Sequence, residues 1–193
     1  RNVPLAYRES VRAAILEWNK AFEKIGIQGA IVVEQQADDA KFDTLDFGYA
    51  SVRWMMNASP NFAAIGPAHF DPRTGEILDA DIAFEGMAAR SIRTLRSQVL
   101  PGSPSSPGAA AAPLSFATPF ELPGGTGAGI DHRLCMHGAL AAEQLGYALD
   151  VLEAQGQLEP DSPIAQQFVQ DYVKEAVMHE VGHTLGLRAH RNF

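Results

Sequence analysis

Near its C-terminus the 193-residue chain carries the run His179-Glu180-Val181-Gly182-His183. Two histidines four residues apart sit one turn apart on the same face of a helix, with Cβ atoms roughly 5–6 Å from each other. Their ring nitrogens can then converge on a single ion at about 2.0–2.1 Å, the distance zinc takes from imidazole. Glu180 lies beside them and is not needed as a ligand. Its chemistry is that of a general base that takes a proton from a water activated by the ion. Zinc in such a place lowers the pKa of that water and polarises a scissile carbonyl. A chance match to the pattern in a chain of this length arises on the order of once in a hundred. The bland alternative is a pair of ordinary helix histidines.

A catalytic zinc of this kind keeps three protein ligands. Nothing acidic follows Glu180, so a downstream glutamate is closed off within this chain. His190 is the downstream candidate, and an upstream carboxylate is the alternative. The other polar residues have plainer readings. His132, Cys135 and His137 are potential ligands at a helix start, but 137 points away from the face shared by 132 and 135. His69 falls in a turn-linked strand pair and reads as structural or exposed. Asp71, Asp79 and Asp81 are oxygen ligands of the type calcium takes, without a loop-type spacing, so solvated turn and strand carboxylates are the default. Arg90, Arg93 and Arg96 read as a solvated helix face. Tyr172, Trp18 and Trp54 read as core.

The element that must position the motif is a long C-terminal helix. Ser162-Pro163 is an N-cap followed by a first-turn proline. Ile164, Phe168, Tyr172, Val173, Ala176 and Val177 are its apolar positions, and Gly186 is where it would stop. A second helix is expected over His132–Gln155, with Leu134, Leu140, Leu145, Leu149 and Leu152. At the other end of the chain, Val11, Ile15, Trp18, Phe22 and Ile25 recur at helical spacing after Pro4, and Gly26 and Gly29 close that helix. Ala30–Val33 and Tyr49–Met55 read as strands. Gly66–Phe70 and Glu76–Phe84 read as a strand pair around the turn Asp71-Pro72-Arg73-Thr74-Gly75. Gly86–Leu100 has helical spacing. Pro101–Pro113 holds mainly Pro, Ser, Gly and Ala, and with the Pro123–Gly129 break makes residues 101–129 a flexible insertion inside one domain.

Composition narrows the classes further. Hydrophobic residues make up 46% and charged residues 20%, enough to build one core. Fifteen Lys+Arg against 23 Asp+Glu leave a formal charge of −8. That balance disfavours nucleic acid or an anionic membrane as a bulk-charge partner. The single cysteine, Cys135, excludes an internal disulfide framework and a cysteine-based zinc cage. No apolar run approaches the roughly 18–20 residues of a membrane span.

The run from His179 through Thr184, Leu185, Gly186, Leu187, Arg188 and Ala189 to His190 resembles the metzincin signature H-E-x-x-H-x-x-G-x-x-H. The signature's third histidine would fall on Ala189; here it is at 190, an extra residue that a bulge in the turn would absorb. The tail Val177 to Arg188, with His190 and Asn192-Phe193, is similar to a family of bacterial zinc-dependent metalloproteases whose motif reads HEVGHTLGLRHNF. Trp18–Lys24, Val52-Arg53-Trp54, Gly66-Pro67, Asp71–Leu78 and Ala80-Asp81-Ile82 also look similar to that family.

The resemblance implies an α+β, zincin/metzincin-like fold. A twisted, mostly parallel sheet with an antiparallel edge strand would be backed by long helices, with the active-site helix at the C-terminus. Glu76–Phe84 or its hairpin partner would be the edge strand that binds substrate backbone. His179, His183 and His190 would hold Zn2+, and Glu180 would be catalytic in hydrolysing a peptide or protein substrate. Residues 1–193 are then expected to form one metzincin-like catalytic domain that stops before the family's methionine turn. A secreted, periplasmic or cell-envelope location goes with the family. The shifted His190 and the missing methionine turn motivate a second reading, a degenerate protease fold that serves as a peptide-binding module. A zinc amidohydrolase acting on a non-peptide substrate shares the same metal chemistry.

Overall fold

The computed structural model describes residues 1–57, 62–86, 137–159 and 162–187. It shows an α+β chain whose helices pack on a mixed sheet of four strands. The expected helix over Gly86–Leu100 with Arg90, Arg93 and Arg96, the 101–129 insertion, His132, Leu134, Cys135 and His190 lie outside the described residues.

The first helical stretch is broken rather than continuous. A 3-10 turn, Leu5–Tyr7, leads into α1 (Arg8–Leu16), and α2 (Asn19–Lys24) follows after a tight step at Glu17 and Trp18. The step is visible in its hydrogen bonds. Lys20 N–H donates to the Glu17 carbonyl at 3.1 Å and Ala21 N–H to the Trp18 carbonyl at 3.0 Å, both three residues back instead of four. Val11 and Ala14 of α1 are buried, whereas Ile25 is 71% exposed and is not a core position. Gly26, in the left-handed region at φ 88°, turns the chain out of α2.

The strand expected over Ala30–Val33 is absent. The Asn19 side chain takes the place of a partner strand there: its amide accepts from Ile31 N–H at 2.8 Å and donates to the Ile31 carbonyl at 2.9 Å. With both backbone groups of Ile31 satisfied, no ladder is required, and Val32 is left 76% exposed.

The sheet is built on β4 (Ile77–Glu85). β1 (Ser51–Met55) pairs with it in parallel, in register Ser51↔Asp81 through Met55↔Glu85. On the antiparallel side, the expected Gly66–Phe70 strand is instead two short runs, β2 (Ala64–Ile65) and β3 (Ala68–Phe70). Gly66 and Pro67 separate them, since proline has no N–H to give a ladder. Among the described residues the sheet has one parallel and two antiparallel pairings, so it is mixed there rather than mostly parallel as the resemblance implies. β4 is therefore the inner strand, and the edge falls to β2 and β3. The turn between β3 and β4 forms as expected: Gly75 N–H donates to the Asp71 carbonyl at 2.8 Å, and Gly75 adopts φ 76°.

Two long helices complete the layer, α3 (His137–Ala154) and α4 (Pro163–Thr184). The core lies between α1, α4 and one face of the sheet. Trp54, Ile82 and Phe84 from the strands meet Tyr172, Val173, Ala176, Val177 and Val181 from α4. Ile164 and Phe168 of α4 are exposed, so only the second half of that helix is a core element. A small satellite cluster of Leu149, Leu158 and Ala165 ties α3 to the start of α4. Among the described residues no helix is long and apolar enough to cross a membrane.

Candidate metal centre

Local chemistry at both ends of α4 sets the site. At the start, Ser162 Oγ accepts a hydrogen bond from Ala165 N–H at 3.2 Å, with Pro163 in the first turn. At the end, Gly186 takes φ 88°. Gly186 N–H then donates to the His183 carbonyl at 2.9 Å and Leu187 N–H to the Gly182 carbonyl at 3.0 Å. This is a Schellman closure, which needs a residue free to adopt the left-handed conformation.

That closure orients the His183 ring. It folds the Leu187 carbonyl back over the last turn, 2.9 Å from His183 Nδ1. A carbonyl can only accept, so His183 Nδ1 carries the proton and Nε2 keeps its lone pair. His179 Nε2 lies 3.1 Å from His183 Nε2. Two nitrogens bound at about 2.05 Å to one tetrahedral ion would stand about 3.3 Å apart. The pair is therefore spaced as a zinc chelate requires. Without an ion the same distance suits a hydrogen bond between the two rings. Burial, followed by the nearby His137 and His183, lowers the His179 pKa to about 4, which favours the neutral, ligating form at neutral pH.

Glu180 is the third member. One ligand atom from each of His179, Glu180 and His183 lies within 4.8 Å of the others, the one such cluster among the described residues. Glu180 is 1% exposed, and neither carboxylate oxygen has a hydrogen-bond partner among the described residues. Its pKa is raised, chiefly by burial. The His183 and His137 rings and the Gly66 backbone N–H act in the opposite direction. The Gly66 contact is electrostatic, since it does not reach hydrogen-bond geometry. An unpaired buried carboxylate is costly to keep. A cation beside it, with a water to hold, would supply what the described residues do not. This donor set, two imidazoles with convergent Nε2 atoms and a buried carboxylate without a hydrogen-bond partner among the described residues, fits zinc.

The surroundings hold the motif tightly. Trp18 Nε1–H donates to the Met178 carbonyl at 2.9 Å, and its ring lies on Gly182, where a Cβ would stand 2.9 Å from the indole. On the sheet side Gly66 meets the helix backbone. A Cβ there would stand 2.6 Å from the Glu180 carbonyl oxygen. Glycines at 66 and 182 let the end of β2 and the Trp18 step close on this turn of α4 from two sides.

No family model, curated protein or solved structure matches the chain.

The other candidates separate cleanly. Asp79 is buried and accepts from Gly48 N–H at 3.2 Å, and Asp81 accepts from Ser51 Oγ at 2.6 Å. Asp71 is engaged by Arg73. These carboxylates do not gather into a cation site. His69 is exposed on β3, edge-on to Phe47. Tyr172 is a core residue whose hydroxyl donates to the Gly138 carbonyl at 3.0 Å, and its pKa is pushed up by burial. Trp54 is buried against Phe84 and Trp18 packs on the core as expected. One residue gained a place that spacing had not suggested. His137 stacks on His179 with ring centroids 4.0 Å apart and planes 11° apart. No local pattern links positions 137 and 179. The nearest signal is Gly138, which packs against Ala63 and Ala64 at the start of α3.

Proposed function

We propose that this chain is a zinc-dependent metallopeptidase of metzincin type, in which His179, His183 and His190 hold Zn2+ and Glu180 is the general base. The observation that carries the reading is the pairing of convergent His179 and His183 nitrogens with a buried, unpartnered Glu180 carboxylate. Zinc bound there would polarise the substrate carbonyl and acidify the attacking water.

The chain's own residues do the rest. Glu180 takes a proton from the water as its oxygen forms the new bond to the carbonyl carbon. It then returns that proton to the amide nitrogen as the C–N bond breaks, so an acid and an amine leave. Burial raises the Glu180 pKa, which makes it a stronger base than an exposed carboxylate. Leu187 and the Gly186 turn hold His183 in its ligating tautomer. β2 lies against α4, and Gly66 meets the Glu180 backbone; an extended peptide pairing along the β2 edge would present its carbonyl to the site. A buried charge left without a partner serves no purely structural or binding role, which favours catalysis over a peptide-binding module.

Glu180→Gln tests this. The variant should retain one zinc per chain by elemental analysis and lose hydrolysis of a protein substrate. Hydrolysis at the parent rate would remove Glu180 from the mechanism.

A further inference from the structure

We infer that His137, anchored by Glu175, is a positioning residue for the metal centre that locks the His179 ring with its Nε2 turned toward His183. The inference rests on the zinc reading above.

Glu175, His179 and His183 recur at four-residue intervals, so they share one face of α4. His137 is the first residue of α3 and comes down onto that face. Its Nε2–H donates to Glu175 Oε1, and its ring lies flat on His179. The anchor is one turn before the ring it covers. The start of α3 is itself pinned. Tyr172 Oη holds the Gly138 carbonyl at 3.0 Å, and a Cβ on Gly138 would already stand 3.5 Å from atoms of Ala63 and Ala64. His137 cannot drift without opening that buried contact.

The same geometry separates positioning from ligation. An imidazole lone pair lies in the plane of its ring. With the two rings nearly parallel and their centroids 4.0 Å apart, an ion in the His179 plane lies well off the His137 plane. His137 Nε2 is also committed to Glu175. The two ligand histidines are thus held differently, His183 through its far nitrogen by the Leu187 carbonyl and His179 across its face by His137. Groups that orient a metal ligand are worth about 10–100-fold in affinity.

The experiment is a zinc titration of the 193-residue chain against a chromophoric chelator, with Co2+ absorption in the visible as a second readout. His137→Ala should bind zinc about 10–100-fold more weakly and show a weakened, shifted Co2+ band. His137→Phe keeps a flat ring without a nitrogen and should recover most of the affinity and the parent band. Glu175→Ala, which removes the anchor and leaves the ring, should fall between His137→Ala and the parent. Should His137→Ala fail to fold, His137→Leu against His137→Phe makes the same comparison, because leucine fills the space without a flat face. Parent-like zinc binding in the Ala or Leu variant overturns the inference. So does a Phe variant as weak as Ala, which would make His137 a ligand. A parent chain that binds no zinc overturns the metal reading together with this inference. Tight parent binding untouched by the substitutions overturns this inference alone.

Discussion

Two groups of buried or half-buried carboxylates in this molecule have opposite surroundings. In the hairpin region, Asp79 accepts from Gly48 N–H and Asp81 from Ser51 Oγ. Each is answered by a donor of the chain, and each helps seat β4 beside the segment that precedes or forms β1. On α4, Glu180 is buried more deeply than either and has no such donor among the described residues. A satisfied carboxylate needs no further explanation. An unsatisfied one beside two convergent imidazoles is costly to the fold, and the proposed metal chemistry would account for that cost. In the sequence Asp71, Asp79 and Asp81 read by default as solvated turn and strand carboxylates, and Glu180 as a general base beside two histidines. The hydrogen-bond inventory, which only the folded arrangement reveals, separates them further.

The contrast can be broken most severely at Glu180 itself. Glu180→Gln should lower kcat by about 10²–10⁴-fold, the usual worth of a positioned general base, whereas Asp79→Asn and Asp81→Asn should leave kcat near the parent value. Steady-state kinetics on the three variants decides it. Next in size is Gly66→Ala. Its Cβ would stand 2.6 Å from the Glu180 backbone oxygen, so β2 or α4 must shift. The expected loss is about 1–3 kcal/mol by urea unfolding, with zinc affinity reduced as well because the shift reaches the ligand turn.

A third prediction concerns pH in the presence of a chelator. The folded-state pKa of Glu180 is raised above its ordinary 4.5 by burial. Its carboxyl therefore supports the fold below pH 4.5, and that support is lost as pH rises through the folded-state value. Melting temperatures of metal-free parent and Glu180→Gln should converge in acid and separate toward neutral pH, with the variant higher. Equal separation at every pH would contradict the assignment. The smallest effects belong to the hairpin. Asp79→Ala strands the Gly48 N–H and should cost about 1–3 kcal/mol of stability. Asp71→Ala, which loses an ion pair with the exposed Arg73 and one turn hydrogen bond, should cost less and lower the melting temperature only slightly.

Much of the site was legible because its determinants are local. The Ser162-Pro163 start, the Gly186 stop and the four-residue histidine spacing act within one or two turns, and α4 forms between the expected signals. The Asp71–Gly75 turn was legible for the same reason. Longer-range substitutions of one partner for another were not. Asn19 supplies the hydrogen bonds that Ile31 would otherwise seek in a sheet, so a β-branched run that reads as a strand stays out of the ladder. Pro67 splits the expected strand partner of β4 into two. His137 reaches His179 only through the docking of α3 on α4, which no periodicity encodes.

The central claim is that α4 holds a metal through His179 and His183. Equilibrium dialysis against zinc, followed by elemental analysis of the parent chain and His183→Ala, tests it most directly. The account predicts one tightly held zinc per parent chain and none in the variant, with both proteins folded by circular dichroism. A parent chain without zinc, or equal retention in His183→Ala, would contradict it.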